Sequence, residues 1–478
     1  MMSQVRLSAR LRKNLIGDRA FYQQMIAIVL PIIIQNTISN VVSLLDNVMI
    51  GAVGTLEMSA VSIVNQLLFV FYLCIFGGLA GAGIFATQFA GAKDDDGIRY
   101  CFRIKWLIAV LMLICAFAVF LILPNQLIGI YLAEGTAQQD AAMTLTYGLD
   151  YLMVMLAGLL PFAVSQIYAS TLREVGETRL PMFASIAAIL VNLVFNYLLI
   201  FGKFGFPCLG VTGAAIATVL SRYVEMAIIT IYTHIRKREF SFIRGAYRSL
   251  YVPQKLLGDV FRRGMPLLVN EFFWSSGMAV LLQCYSVRGL DVVAACNIAS
   301  TVSNLFKVVF LSMGNAVAIM VGQALGANRI EEAKETAWKL MAAAVASNLV
   351  MGTLLFALSP VIPQIYNTEP HVREIAMKML WIIAASMPLY SAAHCCYFTL
   401  RSGGRTIITF IFDSGFTWGI CVPTAYILAN LTALPILPLY FAIQFLELIK
   451  VIIGVAMMKK GIWVRNIIAD NTSQEAAC

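Results

Sequence analysis

Residues 21–51, FYQQMIAIVLPIIIQNTISNVVSLLDNVMIG, form an apolar run in which the carboxylate of Asp46 is the one charged side chain. A helix needs roughly 20 apolar residues to cross the hydrocarbon core of a bilayer, so this run predicts a membrane span. An ionisable residue inside a span is costly, and its presence is by default a sign of function. The fold and the site are therefore both indicated by this segment.

The whole chain has the composition of a protein with many membrane spans. Its 478 residues are 60% hydrophobic and 12% charged, with a mean hydropathy of +0.82, whereas soluble domains average about 25% charged residues. Most of the ten cysteines fall inside apolar runs, which favours small packing residues over disulfides. The basic N-terminus leads directly into the first span and does not resemble a signal peptide.

Twelve spans are predicted, at about 21–51, 58–85, 102–124, 143–168, 182–202, 209–233, 261–286, 292–322, 335–358, 375–399, 407–430 and 436–458.

Lys and Arg are not spread evenly over the connections between these spans. They concentrate at the N-terminus and at 93–105, 173–179, 234–263, 329–339 and 459–465, and they are scarce at 52–57, 125–142, 203–208 and 431–435. Because an excess of positive charge marks the cytoplasmic side, we expect a cell-membrane protein with both termini in the cytoplasm. The net charge of +9 then follows mostly from topology and requires no nucleic acid partner.

The two halves of the chain repeat each other. At a shift of 235 residues Pro31 aligns with Pro266, and Gln88-x-x-Gly91-Ala92 aligns with Gln323-x-x-Gly326-Ala327; STLREVGETR and FTLRSGGRT align at a shift of 228. An even number of spans in each repeat makes the two halves parallel, with an axis along the membrane normal. A transported molecule would then bind in a central cleft between them.

The predicted fold is therefore an all-α polytopic membrane protein of two parallel six-helix repeats, an N-lobe and a C-lobe. Its segments are a basic cytoplasmic N-terminus at 1–20, the N-lobe at 21–233, a cytoplasmic linker at 234–260, the C-lobe at 261–458 and a cytoplasmic tail at 459–478.

The first span carries a polar stripe on one helix face. Its members recur at spacings of three and four residues, which places them together and away from lipid: Asn36, Asn40, Ser43, Asp46 and Asn47. Pro31 removes a backbone hydrogen bond from the same helix and permits a kink. The alternative is that Asp46 is a polar packing residue, satisfied by its Asn and Ser neighbours.

The fifth and sixth spans offer further oxygen ligands. Ser185, Asn192 and Asn196 share a face of the fifth span, and Thr218 lies on the sixth. Amide and hydroxyl oxygens suit a hard cation or a proton relay, although such residues also form interhelical hydrogen bonds.

Glu271, which follows Pro266 in the seventh span, is the second acid with a predicted function. It lies deep in the span, at the position that Asn36 occupies in the first repeat. The alternative is a structural pair with Lys307. For the other intramembrane charges we predict structural roles: a pair of Arg222 with Glu225, a pair of Glu447 with Lys450, and Asp413.

Motifs of catalysis are absent from the sequence. It contains no GxxxxGK[ST] phosphate loop, no CxxC, no HExxH and no nucleophile elbow, and its three histidines are scattered. We therefore expect neither an enzyme nor a cofactor, and favour a secondary transporter driven by an ion gradient.

The opening LPIIIQN…SLLDNVMIG, GVTGAAIATVLSR and GQALGANR together resemble the multidrug and toxic compound extrusion (MATE) family over roughly residues 20–460. The resemblance implies a monomer in a bacterial plasma membrane that exchanges cationic or aromatic small molecules for sodium ions or protons by rocking between inward- and outward-facing states. It also implies an N-lobe cation site at Asp46, Asn192 and Thr218, with sodium at Asp46 as the one metal to consider. The family's fifth-span Asp falls on Asn196, which removes one negative charge and weakens the case for tight sodium binding.

Glu271 resembles the seventh-span Glu of another branch of the family, in which a tenth-span Asp accompanies it; residues 378–400 contain no acid. The expected mechanism is competition between an ion at Asp46 and a drug in the cleft, with bending at Pro31 and with Glu271 receiving the drug. The alternative within the same superfamily is a lipid-linked saccharide flippase. The mostly acidic intramembrane charge favours cations over phosphorylated lipids.

Overall fold

A computed structural model describes residues 15–132, 138–366 and 368–469, except for the side chains of Leu44, Asn47 and Gln138. The basic residues of the N-terminus before 15, the end of the tail after 469 and the side chain of Asn47 therefore lie outside the described part. All regular elements within it are helical, which confirms the predicted fold class.

Twelve membrane-length stretches account for nearly the whole described chain, and each matches one predicted span. They are α1 (Arg19–Gly51), α2 (Thr55–Ala92), α3 (Asp95–Ile122), α4 (the bent pair Gln138–Leu156 and Leu159–Glu174), α5 (Arg179–Phe201), α6 (Gly210–Ile235), α7 (Gln254–Ser286), α8 (Leu290–Gly326), α9 (Ile330–Leu358), α10 (Pro370–Ser402), α11 (Thr406–Asn430) and α12 (Ile436–Lys460). A short helix, Pro124–Gly129, follows α3, and single 3₁₀ turns lie at Lys203–Gly205, Ser241–Ile243 and Ile362–Ile365.

The sequence repeat is also a repeat of backbone geometry. Helices α1, α2 and α3 begin at residues 19, 55 and 95, and α7, α8 and α9 begin 235 positions later, at 254, 290 and 330. Lys93 and Asn328, also 235 apart, both have positive φ and end α2 and α8 in the same way. Gly176 and Gly404 are a second pair, 228 apart and again of positive φ. Both repeats therefore end corresponding helices with the same left-handed cap.

The predicted fourth span, 143–168, is interrupted. Its two helices meet at an angle of 47° at residues 157–158. Pro161 has no N–H to donate, and its ring would collide with the carbonyl of Ala157 in a continuous helix. At the break, Nη1 of Arg222 lies 3.5 Å from the carbonyl oxygen of Gly158 and donates to it. The carbonyl of Gly158 also accepts the backbone N–H of Phe162 over 3.2 Å, so the arginine adds a second donor to a backbone oxygen at the break.

The described chain divides into two compact units. The N-terminal unit contains Ile34–Ala86 and Asp95–Val260; the C-terminal unit contains the residues up to Ile33, Thr87–Asp94 and the residues from Phe261 onward. The change of unit within α1 falls two residues after Pro31, since Ile28, Val29 and Ile32 pack into the core of the C-terminal unit.

The repeated Gln-x-x-Gly motif explains why the end of α2 belongs to the C-terminal unit. A Cβ added to Gly91 would lie 1.9 Å from the carbonyl oxygen of Gln323, and one added to Gly326 would lie 1.9 Å from that of Gln88. The two helices therefore cross backbone to backbone at the two matching glycines, as small residues allow in membranes. Nε2 of Gln88 also donates to the carbonyl of Ser402, 3.0 Å away.

Arg103, at the start of α3, holds the linker between the repeats. Its guanidinium donates three hydrogen bonds of 2.9 Å, to the carbonyl oxygens of Gly245, Ala246 and Tyr251. A single buried side chain thereby satisfies three carbonyls of a loop that has little regular structure.

Candidate functional site

Asp46 lies in a small polar cluster formed by α1, α5 and α6. Nδ2 of Asn196 donates to Oδ1 of Asp46 over 2.7 Å. Asn192 and Asn196 are 6% and 1% exposed, so the amides on this face of the carboxylate are shielded from solvent. Oδ1 of Asn196 is buried and has no hydrogen-bond donor among the described residues.

The amide of Asn192 bridges Asp46 and Thr218. Its end that faces Asp46 lies 3.1 and 3.2 Å from the two carboxylate oxygens, and its other end lies 3.2 Å from Oγ1 of Thr218. When Asp46 is ionised, the facing atom is Nδ2, which donates to the carboxylate while Oδ1 accepts from Thr218. With Oδ1 facing Asp46, oxygens would face oxygens, and a proton or a cation between them would be required.

A close helix crossing brings these residues together. Gly213 of α6 packs so tightly on α5 that an added Cβ would lie 2.6 Å from the carbonyl oxygen of Leu199. Asn192 and Asn196 are four residues apart and therefore occupy the same face of α5. The four predicted ion-coupling residues, Asp46, Asn192, Asn196 and Thr218, form one hydrogen-bonded group.

The rest of the predicted stripe on α1 does not join this group. Asn36 and Asn40 are partly buried and Ser43 is exposed, and within the described residues none of the three side chains makes a hydrogen bond. Asp46 is hydrogen-bonded by Asn196 of α5 and not by these three side chains, and its alternative role as a packing residue stays a prediction. Asn36, Asn40 and Ser43 remain residues with predicted roles at a cleft.

The N-terminal unit contains a second series of hydrogen-bonded polar side chains, which the sequence analysis did not predict. Nε2 of Gln35 donates to Oγ of Ser185 over 2.7 Å, and Oγ of Ser185 donates to Oε1 of Glu225 over 2.5 Å. Nη2 of Arg173 donates to Oε1 of Gln35 over 3.1 Å. The prediction that Glu225 pairs with Arg222 is wrong.

Arg222 instead lies between two aromatic rings. Its guanidinium carbon is 4.8 Å from the ring centre of Tyr72 and 5.0 Å from that of Phe162, and it donates to the hydroxyl of Tyr72. Cation–π contacts of this kind gain strength where water is excluded. Arg222 and Glu225 are three residues apart on one helix, but they contact side chains of α2, α4 and α5 instead of each other.

Glu271 is partly buried on α7, five residues after Pro266. Its electrostatic neighbours are Arg401 and Asp413. No ion pair joins it to Lys307 in the described part of the chain, so the predicted alternative of a structural pair is not formed there. Glu271 thus stays a candidate for binding a cation or a substrate.

The charges of α11 and α12 form a separate cluster. Nζ of Lys450 lies 2.8 Å from Oδ1 of Asp413 and 3.7 Å from Oε1 of Glu447, which confirms the predicted Glu447–Lys450 pair and adds a closer partner. Nδ2 of Asn270 donates to Oδ2 of Asp413 over 3.1 Å. Asp413 lies in a π-helical turn, Ile411–Gly415, and such turns occur frequently at functional sites.

Gln35 and Asn270 are the functional candidates that the sequence reasoning missed. They follow Pro31 and Pro266 by four residues, at equivalent positions of the two repeats, and each begins a buried polar chain. The repeat alignment contained this signal, because a polar residue one turn after a proline occurs in both halves.

Comparison with known proteins agrees with this architecture. The MatE family model matches residues 31–198 and 266–427. The probable multidrug resistance protein NorM of Thermotoga maritima is 24% identical over 85% of this chain and 86% of its own length. The probable multidrug resistance protein YoeA of Bacillus subtilis is 24% identical over 89% and 92%. The fold also matches a multidrug resistance MATE family transporter of the MOP superfamily, solved in an outward-facing conformation, with a TM-score of 0.84 and 19% identity over 93% of this chain and 96% of that one.

Proposed function

Because the chain belongs to the MatE family of multidrug efflux transporters, we propose that it is a secondary active antiporter. In this proposal it exports cationic or aromatic small molecules in exchange for a sodium ion or a proton, by alternating access. The observation that carries the proposal is the group around Asp46: one carboxylate, two buried amides and a hydroxyl, with Oδ1 of Asn196 lacking a donor.

This group can exist in two states that differ by one cation. Without the cation, Asn192 and Asn196 both donate to the ionised carboxylate. With a proton or a sodium ion at Asp46, the Asn192 amide turns its oxygen towards the carboxylate, and its Nδ2 then donates to Thr218. Binding of the ion therefore changes the contacts between α1, α5 and α6, which is the differential interaction that a conformational shift requires.

The bend of α1 would couple these contacts to transport. Pro31 donates no backbone hydrogen bond, and α1 passes from one compact unit to the other within a turn of it. Moving a two-state equilibrium from 1:99 to 99:1 takes about 5.5 kcal/mol of differential binding. The free energy gained by neutralising a carboxylate and rearranging its hydrogen bonds is of that order.

We further propose the topology set out above: both termini in the cytoplasm, an N-lobe at 21–233, a C-lobe at 261–458 and a monomeric transporter. The proposed lobes agree with the 235-residue repeat of the helix boundaries. Labelling of single cysteines with an impermeant maleimide in whole cells would test the sidedness.

The test of coupling is drug efflux from proteoliposomes under separately imposed sodium and pH gradients. We expect Asp46→Asn to abolish concentrative export under whichever gradient drives the wild type, while downhill exchange remains. Asp140→Asn, which removes an exposed carboxylate at the start of α4, is the matched control and should export normally. Full concentrative export by Asp46→Asn would refute the coupling role.

A further inference from the structure

The cluster Asp413, Glu447 and Lys450 in the C-terminal unit has no part in the mechanism above. Glu447 and Lys450 are each 8% exposed, and Lys450 lies within ion-pair distance of both Asp413 and Glu447. Two carboxylates and one ammonium leave one negative charge without a counter-charge in a buried place. Charges within a bilayer are costly unless they are paired, so this remainder needs an explanation.

The two carboxylates are not equivalent. Asp413 receives Nζ of Lys450 at 2.8 Å on Oδ1 and Nδ2 of Asn270 at 3.1 Å on Oδ2, so both its oxygens have donors. Glu447 has Lys450 at 3.7 Å from Oε1, too long for a hydrogen bond, and its buried Oε2 has no partner among the described residues. The uncompensated charge therefore lies on Glu447.

The other groups that face Glu447 do not supply a donor. Tyr390 of α10 is near, but its hydroxyl donates to Oε1 of Gln444 over 2.7 Å. Cys421 of α11 is a buried free thiol in the electrostatic range of Glu447, and the phenol of Tyr440, on α12 itself, interacts with Gln444. His394 of α10 has Asp413, Lys450 and Arg401 as its electrostatic neighbours.

The chemistry selects a proton over a metal ion. A sodium ion at Oε2 would lie close to the ammonium of Lys450, which is 3.7 Å from Oε1 of the same carboxylate, and the two positive charges would repel each other. A proton instead neutralises Glu447 in place and leaves Asp413 and Lys450 as a neutral, hydrogen-bonded pair.

We propose that Glu447 is a second proton-binding carboxylate of this protein, located in the C-terminal unit and independent of Asp46. A proton taken from water forms the O–H bond at Oε2, and Lys450 is then held by Asp413 alone. Loss of the proton to water restores the carboxylate and draws Lys450 back towards Oε1. The step is a proton transfer and requires no other reactant.

The site extends the proposed antiport but does not depend on it, and the test measures proton binding without transport. Infrared difference spectra of the reconstituted protein between about pH 6 and pH 9, a range in which exposed Asp and Glu stay ionised, report the carbonyl stretch of buried carboxyl groups that take up a proton. We expect Glu447→Gln to remove one component of this band, and Asp46→Asn to leave that component in place. Glu239→Gln, which removes an exposed carboxylate of the linker, is the matched control and should leave the band unchanged.

Two further results bear on the proposal. Glu447→Gln retains the neutral Asp413–Lys450 pair, so its melting temperature should match or exceed that of the wild type. If Glu447→Gln fails to fold, Glu447→Asp takes its place. Its side chain is one methylene shorter, so one component of the band should shift in frequency or in pH dependence. A Glu447→Gln or Glu447→Asp spectrum identical to that of the wild type would overturn the proposal.

Discussion

Replacing Asn196 by aspartate would put a second carboxylate against Asp46. In the wild type, Nδ2 of Asn196 donates to Oδ1 of Asp46 over 2.7 Å, with Asn196 1% exposed. The variant exchanges this donor for an acceptor at nearly the same volume. It therefore tests whether the group binds a cation by means of its charge.

The expected cost of the ionised pair follows from the geometry. Loss of a hydrogen bond to a charged group costs about 1.5–3 kcal/mol. Two carboxylates about 4 Å apart repel by about 4 kcal/mol at an effective dielectric constant near 20. The empty, doubly ionised variant is thus destabilised by roughly 6 kcal/mol, and a bound cation should recover most of this.

The assay is thermal unfolding of the purified protein at fixed alkaline pH, in sodium chloride against choline chloride. We expect Asn196→Asp to show a melting temperature that rises strongly with sodium, because a ligand at 100 times its Kd stabilises by about 2.7 kcal/mol. The matched control is Asn430→Asp, since Asn430 is exposed at the end of α11 and bonds only to its own helix. An Asn196→Asp variant whose unfolding is no more sodium-dependent than that of the control would refute the reasoning.

Three further predictions concern the architecture. Gly326→Ala should lower the free energy of unfolding by ~3 kcal/mol, because its Cβ would lie 1.9 Å from a carbonyl oxygen. Gly258→Ala, also within a helix, meets nothing within 4 Å and should not lower it in the same thermal assay. Lys105→Met leaves Glu174 without the ammonium that lies 2.6 Å away and should cost ~3–5 kcal/mol of stability; adding Glu174→Gln should restore part of the loss, and no restoration would contradict the pairing. Arg103→Met removes three hydrogen bonds to the linker, so limited trypsin digestion should cut residues 236–251 faster than in the wild type, and an unchanged rate would argue against this anchoring.

Hydrophobic patterning predicted the helices because each span must satisfy its own backbone within lipid. All twelve apolar runs correspond to helical stretches, and the alignment of Pro31 with Pro266 anticipated boundaries that repeat at 235 residues. The fourth run was predicted as a single span, and the break before Pro161 was not predicted. The residues on both sides of the break are apolar, so a hydropathy pattern alone does not show where the helix is interrupted.

Side-chain pairing was the weaker part of the prediction. Arg222 and Glu225 have the spacing of a helical ion pair, yet Tyr72 and Ser185 from other helices contact them instead. Glu447 and Lys450, with the same spacing, do pair. Spacing along one helix shows which contacts are possible, but competing partners come from helices that are far away in sequence.

The sequence by itself determined the class of the protein, its repeat, and the placing of Asp46 with Asn192, Asn196 and Thr218 as one candidate group. These follow from hydropathy and periodicity, which act locally along the chain, and from resemblance to a family. Only the tertiary structure decided which donors reach each buried oxygen: it supplied two amides to Asp46, gave both donors to Asp413 and left Oε2 of Glu447 without one. Hydrogen bonds depend on distances of a few tenths of an ångström between helices, and helix packing alone sets these distances.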